Sequence, residues 1–305
     1  MLNIIRIQES IILFAFIISP LNGLCEEPNA KTAPETISLW KGETPGANGK
    51  DEKDIPTLIL YPAAKNPSGT AVIICPGGGY GHLAMGHEGH DVAKWLNKNG
   101  ISAFICNYRH KGKGYGHPYP LMDGQRAIRT VRANAKAWKL DPTKVGILGF
   151  SAGGHLASSC ATHDTIGELD KKDPINQQTC RPNFAILCYP VIGFGKPYSH
   201  RGSQRNLIGA DAKKELVQFY SNEDRVDDKT CPTFLWHTAE DKGVPVENSI
   251  QFFLACRKHK VPAALHIFEK GRHGIGLAAT NESAKHWPEL CIKWLKQREI
   301  LVNEK

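Results

Sequence analysis

The stretch GFSAGGH, residues 149–155, follows the apolar run KVGIL and opens directly onto AGGHLASSCAT, so Ser151 stands where a strand turns into a helix. A serine hydroxyl is a weak nucleophile near neutral pH and needs an adjacent base. G-x-S-x-G at such a junction meets the steric need. A side chain at 149 or 153 would crowd strand and helix around the hydroxyl, and the new helix aims unpaired N–H groups and its positive dipole end back at the serine. The competing reading is a glycine-rich turn without chemistry, and the rest of the chain decides between them.

Outward from this point, apolar runs alternate with helix-length amphipathic segments. TAVIICPGGGY (70–80) reads as a buried strand ending in a glycine-rich loop, HDVAKWLNKNG (90–100) as a helix stopped by Gly100, and ISAFICNYR (101–109) as a strand. In MDGQRAIRTVRANAKAWKL (122–140), Ala127, Ile128, Val131 and Ala135 share one helical face, and the Asp141-Pro142 step ends the helix. Downstream, FAILCYPVI (184–192), TFLWHTAED (233–241) and AALHIFEKG (263–271) read as strands, with helices over 246–260 and 283–297. This order predicts one α/β domain with a mostly parallel, doubly wound sheet and helices on both faces. The polar interval 193–230 is too long for a simple connection and predicts a small helical insertion over the active face, before the strand that carries the acid.

Ligands of such sheets gather at the carboxyl ends of the strands. Four features fall there. Ser151 is the first, and PGGGY, Pro76 to Tyr80, is the second. Three consecutive glycines suit a backbone that must approach a ligand closely, so the amides of Gly78, Gly79 and Ala152 are the expected oxyanion donors. A phosphate-binding loop is the rival, but neither G-K-[ST] nor G-x-G-x-x-G fits there. Asp241, in AEDKGVP, is the third feature, with Glu240 as the alternative acid, and His273, in GRHGIG, is the fourth. Their order, Ser, Asp, His, is that of a nucleophile, orienting acid and base on one open sheet.

With these residues in place the chain resembles the α/β-hydrolase superfamily, and within it the bacterial carbohydrate esterases of acetylxylan-esterase type, which share features with the feruloyl-esterase-like group. The resemblance is carried by LWKGETPGANG (39–49), PGGGYGHLAMGHEGHDVAKWLN (76–97), YPLMDGQRAIRTVR (119–132), GFSAGGHLA (149–157), PTFLWHTAEDKGVPVENS (232–249) and GRHGIGL (271–277), and spans about 37–297. It implies an α/β-hydrolase fold and a Ser151-His273-Asp241 triad that works through an acyl-enzyme without a cofactor. The implied substrate is an acetylated polysaccharide or oligosaccharide, xylan above all, with a feruloyl ester as the nearest rival. His87 and Glu88 resemble a family element close to the site, with a structural hydrogen bond as one role and a substrate contact as the other, and Tyr80 is a further candidate for substrate contact. Pro76 stands where many lipases carry His, which favours the carbohydrate branch. A binding module on an inactive hydrolase scaffold is the non-enzymatic alternative, and the three intact triad residues argue against it.

The remaining features bound the setting. Residues 1–25, with Arg6, the apolar run IILFAFIIS and Pro20, read as a secretory leader cleaved near Cys25, and 26–36 as a flexible segment before a single catalytic domain at 37–305. Export is the expectation, to the periplasm or beyond the cell, with lipid attachment at Cys25 as the alternative; no stable membrane insertion is expected. Lys and Arg total 38 against 30 Asp and Glu, a net charge of +8, spread without an arginine-rich arm, so no nucleic-acid partner is expected. Of the nine cysteines, Cys75, Cys106 and Cys188 fall in apolar strand-like runs, and Cys160 with Cys180 or Cys231 is the disulfide candidate. His82, His87 and His90 do not form a zinc spacing, so no metal is expected. In the insertion, Tyr198, Phe219 and Tyr220 are candidates for stacking on sugars.

Overall fold

The computed structural model describes residues 34–65, 67–165, 170 and 172–301. The expected leader, and the expected flexible segment up to residue 33, lie outside the described residues. The compact unit that holds the described residues begins at Pro34.

Its centre is an eight-stranded sheet of β1 (Thr36–Ser38), β2 (Thr57–Tyr61), β3 (Ala71–Cys75), β4 (Ser102–Asn107), β5 (Val145–Phe150), β6 (Ala185–Cys188), β7 (Thr233–Thr238) and β8 (Ala263–Phe268). The spatial order is β1-β2-β4-β3-β5-β6-β7-β8. β2 runs antiparallel to both β1 and β4, and every later pairing is parallel. Thr36 pairs with Ile59, so the sheet starts within the segment expected to be flexible.

Alternation along each strand sorts side chains between two cores. Ala71, Ile73 and Cys75 of β3 face one cluster with α2 (Tyr119–Ala133), α3 (Ser151–Thr162) and α6 (Glu247–Lys258). Val72 and Ile74 face the other, with α1 (Asp91–Lys98) and α7 (Trp287–Gln297). Burial on both faces explains why AVIIC is apolar throughout rather than alternating. The resemblance-bearing segment at 39–49 is tied down by arginines. Arg126 Nε donates to the Leu39 carbonyl at 2.8 Å, and Arg109, paired with buried Asp123, donates to the Pro45 carbonyl at 2.8 Å.

The expected helix over 122–140 is shorter at its end and longer at its start: α2 stops at Ala133 and turns continue to Lys139. The insertion between β6 and β7 is helical, with α4 (Arg201–Ile208) and α5 (Lys214–Phe219). Asn206 of α4 donates to the Gly79 carbonyl at 2.8 Å, which lays this helix beside the triple-glycine loop. The aromatics of the interval are engaged elsewhere. Tyr220 is buried with its hydroxyl on His117, the Tyr198 hydroxyl donates to Glu223, and Phe219 packs edge-on against His163. No disulfide joins Cys160 to Cys180 or Cys231, because all eight cysteines among the described residues are free and buried.

Topology places the chemistry. β3 leads to β4 on one side, while β5 returns to its other side, so the crevice of an open parallel sheet opens between the ends of β3 and β5. Cys75 pairs with Gly149, which brings the Pro76-Gly77-Gly78-Gly79 loop against Ser151. Thr238 pairs with Phe268, which sets the loops carrying Asp241 and His273 side by side.

Candidate active site

Ser151 holds φ at +52°, a left-handed conformation that costs a non-glycine residue on the order of 1–2 kcal/mol. The flanking glycines make the turn possible. A Cβ at Gly149 would stand 2.1 Å from the Gly153 carbonyl oxygen, and one at Gly153 would stand 2.0 Å from that of Cys75. The Val191 amide then donates to the Ser151 carbonyl at 3.0 Å and fixes the turn to the end of β6.

The loop after β8 brings His273 to this serine, with Nε2 accepting from the Ser151 hydroxyl at 2.8 Å. Its Nδ1 donates to Asp241 Oδ2 at 2.6 Å. The other carboxylate oxygen accepts from the amides of Gly243 and Val244 at 2.8 and 2.9 Å. Burial alone would raise the Asp241 carboxyl, but hydrogen bonds from His237, His273 and the Val244 amide together hold it well below the usual carboxylate range. It is therefore ionised at neutral pH and fixes the imidazole with Nδ1 protonated and Nε2 free to accept. Glu240, the alternative acid, is exposed, whereas Asp241 is buried.

Facing Ser151, the triple-glycine loop divides its amides between structure and site. Gly77 donates inward to Glu88 Oε2 at 2.8 Å, and a Cβ there would lie 2.9 Å from that of Ser151. Gly78 and Gly79 adopt φ of +126° and +62°, conformations in which glycine is the unstrained residue. Among the described residues no acceptor takes the amides of Gly78, Gly79 or Ala152, the last in the first turn of α3 where the helix itself offers none. The three expected donors thus remain unpaired beside Ser151.

The residues expected near substrate divide differently. Tyr80 is buried, and its hydroxyl bonds to His155 Nδ1 at 2.9 Å, so it faces the core and has no surface to offer a ligand. Glu88, also buried, takes the Tyr189 hydroxyl on Oε1 at 2.7 Å as well as the Gly77 amide, so it too is spent inside the protein. Tyr189 in turn accepts from the Gly276 amide at 2.9 Å, and its ring packs edge-on to His273 with centroids 4.9 Å apart. His87 is half exposed, with Nε2 3.7 Å from Glu88 Oε1. Among the described residues no group of three or more His, Cys, Asp or Glu converges as a metal site; His90, for one, bonds the Tyr61 hydroxyl.

Sequence reasoning passed over Tyr189, His237, His200 and Asn206. His237 is fully buried in β7, four residues before Asp241, with Nε2 2.9 Å from the Val244 carbonyl and 3.3 Å from Asp241 Oδ2. A histidine inside the strand FLWHT was the available signal, since a buried imidazole needs partners for both nitrogens.

The fold is that of the α/β-hydrolase class, and its site sets a serine, a histidine and a carboxylate in one hydrogen-bonded line. The BD-FAE family model matches residues 58–255, more than half of the chain, and the chain belongs to that family. It is 38% identical over 238 residues to the acetylxylan esterase of Xylanibacter ruminicola, covering 76% of this chain and 46% of that protein. It is likewise 38% identical over 227 residues to endo-1,4-beta-xylanase B of Butyrivibrio fibrisolvens, covering 73% of this chain and 35% of that one. The chain thus spans under half the length of these two relatives. Among solved structures, the acetyl ester-xyloside bifunctional hydrolase from Caldicellulosiruptor lactoaceticus superposes with a TM-score of 0.82 at 43% identity, covering 89% of this chain and all of the other.

Proposed function

We propose that this protein is an exported esterase that removes acetyl groups from polysaccharide or oligosaccharide, with xylan as the substrate class, through an acyl-enzyme on Ser151. The observation that carries the reading is the unbroken hydrogen-bonded chain from Ser151 through His273 to Asp241 beside three unpaired amides. Names of relatives with acetylxylan and xyloside chemistry support the sugar part. The leader-like residues 1–25 support the exported part.

As the Ser151 oxygen attacks the ester carbonyl, His273 Nε2 takes the hydroxyl proton. Asp241 stays ionised and stabilises the imidazolium. The carbonyl oxygen becomes an oxyanion held by the amides of Gly78, Gly79 and Ala152, where each donor is worth about 2.7–4 kcal/mol of transition-state stabilisation in comparable sites. Collapse breaks the bond to the sugar oxygen, which leaves with the proton from His273. Water, deprotonated by the same nitrogen, then attacks the acetyl-serine, and acetate and free Ser151 result.

The test compares the purified protein with its Ser151→Ala variant on acetylated xylo-oligosaccharides, a feruloyl ester and p-nitrophenyl acetate. Serine-dependent acetate release from the oligosaccharides is expected. Release of ferulate without acetate would move the assignment to the feruloyl rival, and inactivity of the wild type on all three would overturn the esterase reading.

A further inference from the structure

The residue before α4, His200, caps that helix with one nitrogen and leaves the other unused. The Ser203 amide, which can only donate, points at His200 Nδ1 at 3.2 Å, and the Ser203 hydroxyl lies 2.8 Å from the same nitrogen. Nδ1 is therefore the acceptor. Burial first, and then the nearby His273 imidazole, push His200 below the ordinary histidine range, against an opposing pull from Asp241, so the ring is neutral at pH 7. A neutral imidazole accepting at Nδ1 carries its proton on Nε2. That N–H donates to no described residue, yet it is not among the buried polar atoms stranded without a partner, so solvent reaches it.

Its position is held from two sides. A Cβ built on Gly79 would lie 3.9 Å from His200 Cε1, and one built on Gly202 would lie 3.2 Å from the same atom. The ring thus stands beside the triple-glycine loop and the first turn of α4, while Asn206, further along that helix, donates to the Gly79 carbonyl. The alcohol oxygen of an ester must lie next to His273 Nε2 to receive its proton, and the triple-glycine loop beside which His200 stands also faces Ser151, the hydrogen-bond partner of that nitrogen.

We infer that His200 Nε2–H is a hydrogen-bond donor to a hydroxyl on the alcohol half of the ester, and so selects polyhydroxylated leaving groups such as a pyranose ring. This rests on the ester-hydrolase reading and narrows its substrate. A neutral donor fits an uncharged hydroxyl, and a site built to bond a hydroxyl discriminates against an analogue that lacks it.

The test measures kcat/KM for two esters of similar size, a mono-acetylated methyl xyloside and cyclohexyl acetate, in the wild type, His200→Ala and His200→Asn. Asn retains an acceptor for the Ser203 amide, so α4 stays capped, but its shorter amide cannot place a donor where Nε2 stands. The ratio favouring the xyloside should fall about tenfold in both variants, the loss of one hydrogen bond. An unchanged ratio in His200→Asn, including equal losses on both esters, would overturn the assignment while leaving the esterase intact. A wild type that cleaves neither ester through Ser151 would remove the esterase reading itself, before any variant is compared.

Discussion

Glu88 and Tyr189 meet through a 2.7 Å hydrogen bond that links the two halves of the site. Through its other oxygen Glu88 holds the Gly77 amide, at the root of the oxyanion loop. Through Tyr189 it reaches the Gly276 amide and the face of His273. Burial and the Glu88 charge push the Tyr189 phenol up, so it remains a donor. One carboxylate thereby ties the loop whose amides are proposed to receive the oxyanion to the imidazole proposed to move the proton.

Replacing Glu88 by Gln keeps the shape but turns one acceptor into a donor, which either opposes the Gly77 amide or makes the Tyr189 hydroxyl accept and turn its own proton away. A lost hydrogen bond to a charged group is worth about 1.5–3 kcal/mol. The expected result for Glu88→Gln is a fall in kcat of about 10- to 100-fold with KM little changed. Steady-state kinetics on p-nitrophenyl acetate checks it, and a rise in KM at constant kcat would instead mark Glu88 as a substrate contact.

Asp241→Asn should lower kcat about ten-thousand-fold, because the amide no longer selects the imidazole with Nδ1 protonated. The variant should remain folded, since Asn still offers an oxygen to the Gly243 and Val244 amides that Oδ1 now receives. Circular dichroism beside kinetics separates the two effects. Near-normal turnover in a folded variant would assign the acid role elsewhere.

Acid should destabilise the protein through buried neutral histidines. His155 is fully buried between Tyr80 and the Tyr220 carbonyl, and burial lowers its pKa to about 3. For His110, burial first and then Lys113 lower it to about 4. In the unfolded chain both rings charge near pH 6.5, about the usual value. Between those limits the unfolded state binds more protons, so stability falls as pH drops below about 6.5, each ring contributing up to about 1.4 kcal/mol per pH unit. Asp241, held low in the folded state, adds a loss in the same direction only below the ordinary carboxylate range. Urea unfolding between pH 7.5 and 4.5 measures the slope, and a stability flat across pH 6.5 to 4.5 would contradict these assignments.

The elements that were plain from sequence are those whose pattern is local. β3, β5, β6 and β7 are apolar runs buried on both faces, and Gly149, Ser151 and Gly153 have spacing that one sharp turn demands. β1 and β2 were not, because an antiparallel edge of three and five residues carries little periodicity. Within the site, Ser151, Asp241 and His273 could be placed by the G-x-S-x-G spacing together with strand order, with Glu240 left as the alternative acid. Glu88 and Tyr80 could be placed near the loop, but the direction of a side chain is set by packing. The π-helical turn at Gly86–His90 and the positive φ of Tyr80, +58°, are the local features that turn them inward. His200 depends on how α4 docks, which no pattern within 193–230 records.

The cysteines supply a further check on the core. All eight between Cys75 and Cys291 are free and buried, and burial pushes the Cys231 and Cys256 thiols up to about 12. These eight should be unreactive to a thiol reagent in the native protein and react together on denaturation without reductant. Residues recovered only after reduction would show a disulfide that the fold does not contain.

The central claim is that Ser151 becomes acylated, and peptide mass spectrometry after rapid acid quenching of turnover with an acetyl ester tests it most directly. The acetyl group should be found on the peptide carrying GFSAGGH, esterified to Ser151, and should be absent from Ser151→Ala and His273→Ala. Turnover that continues with no acylated Ser151, or with the acetyl group on another residue, would contradict the account.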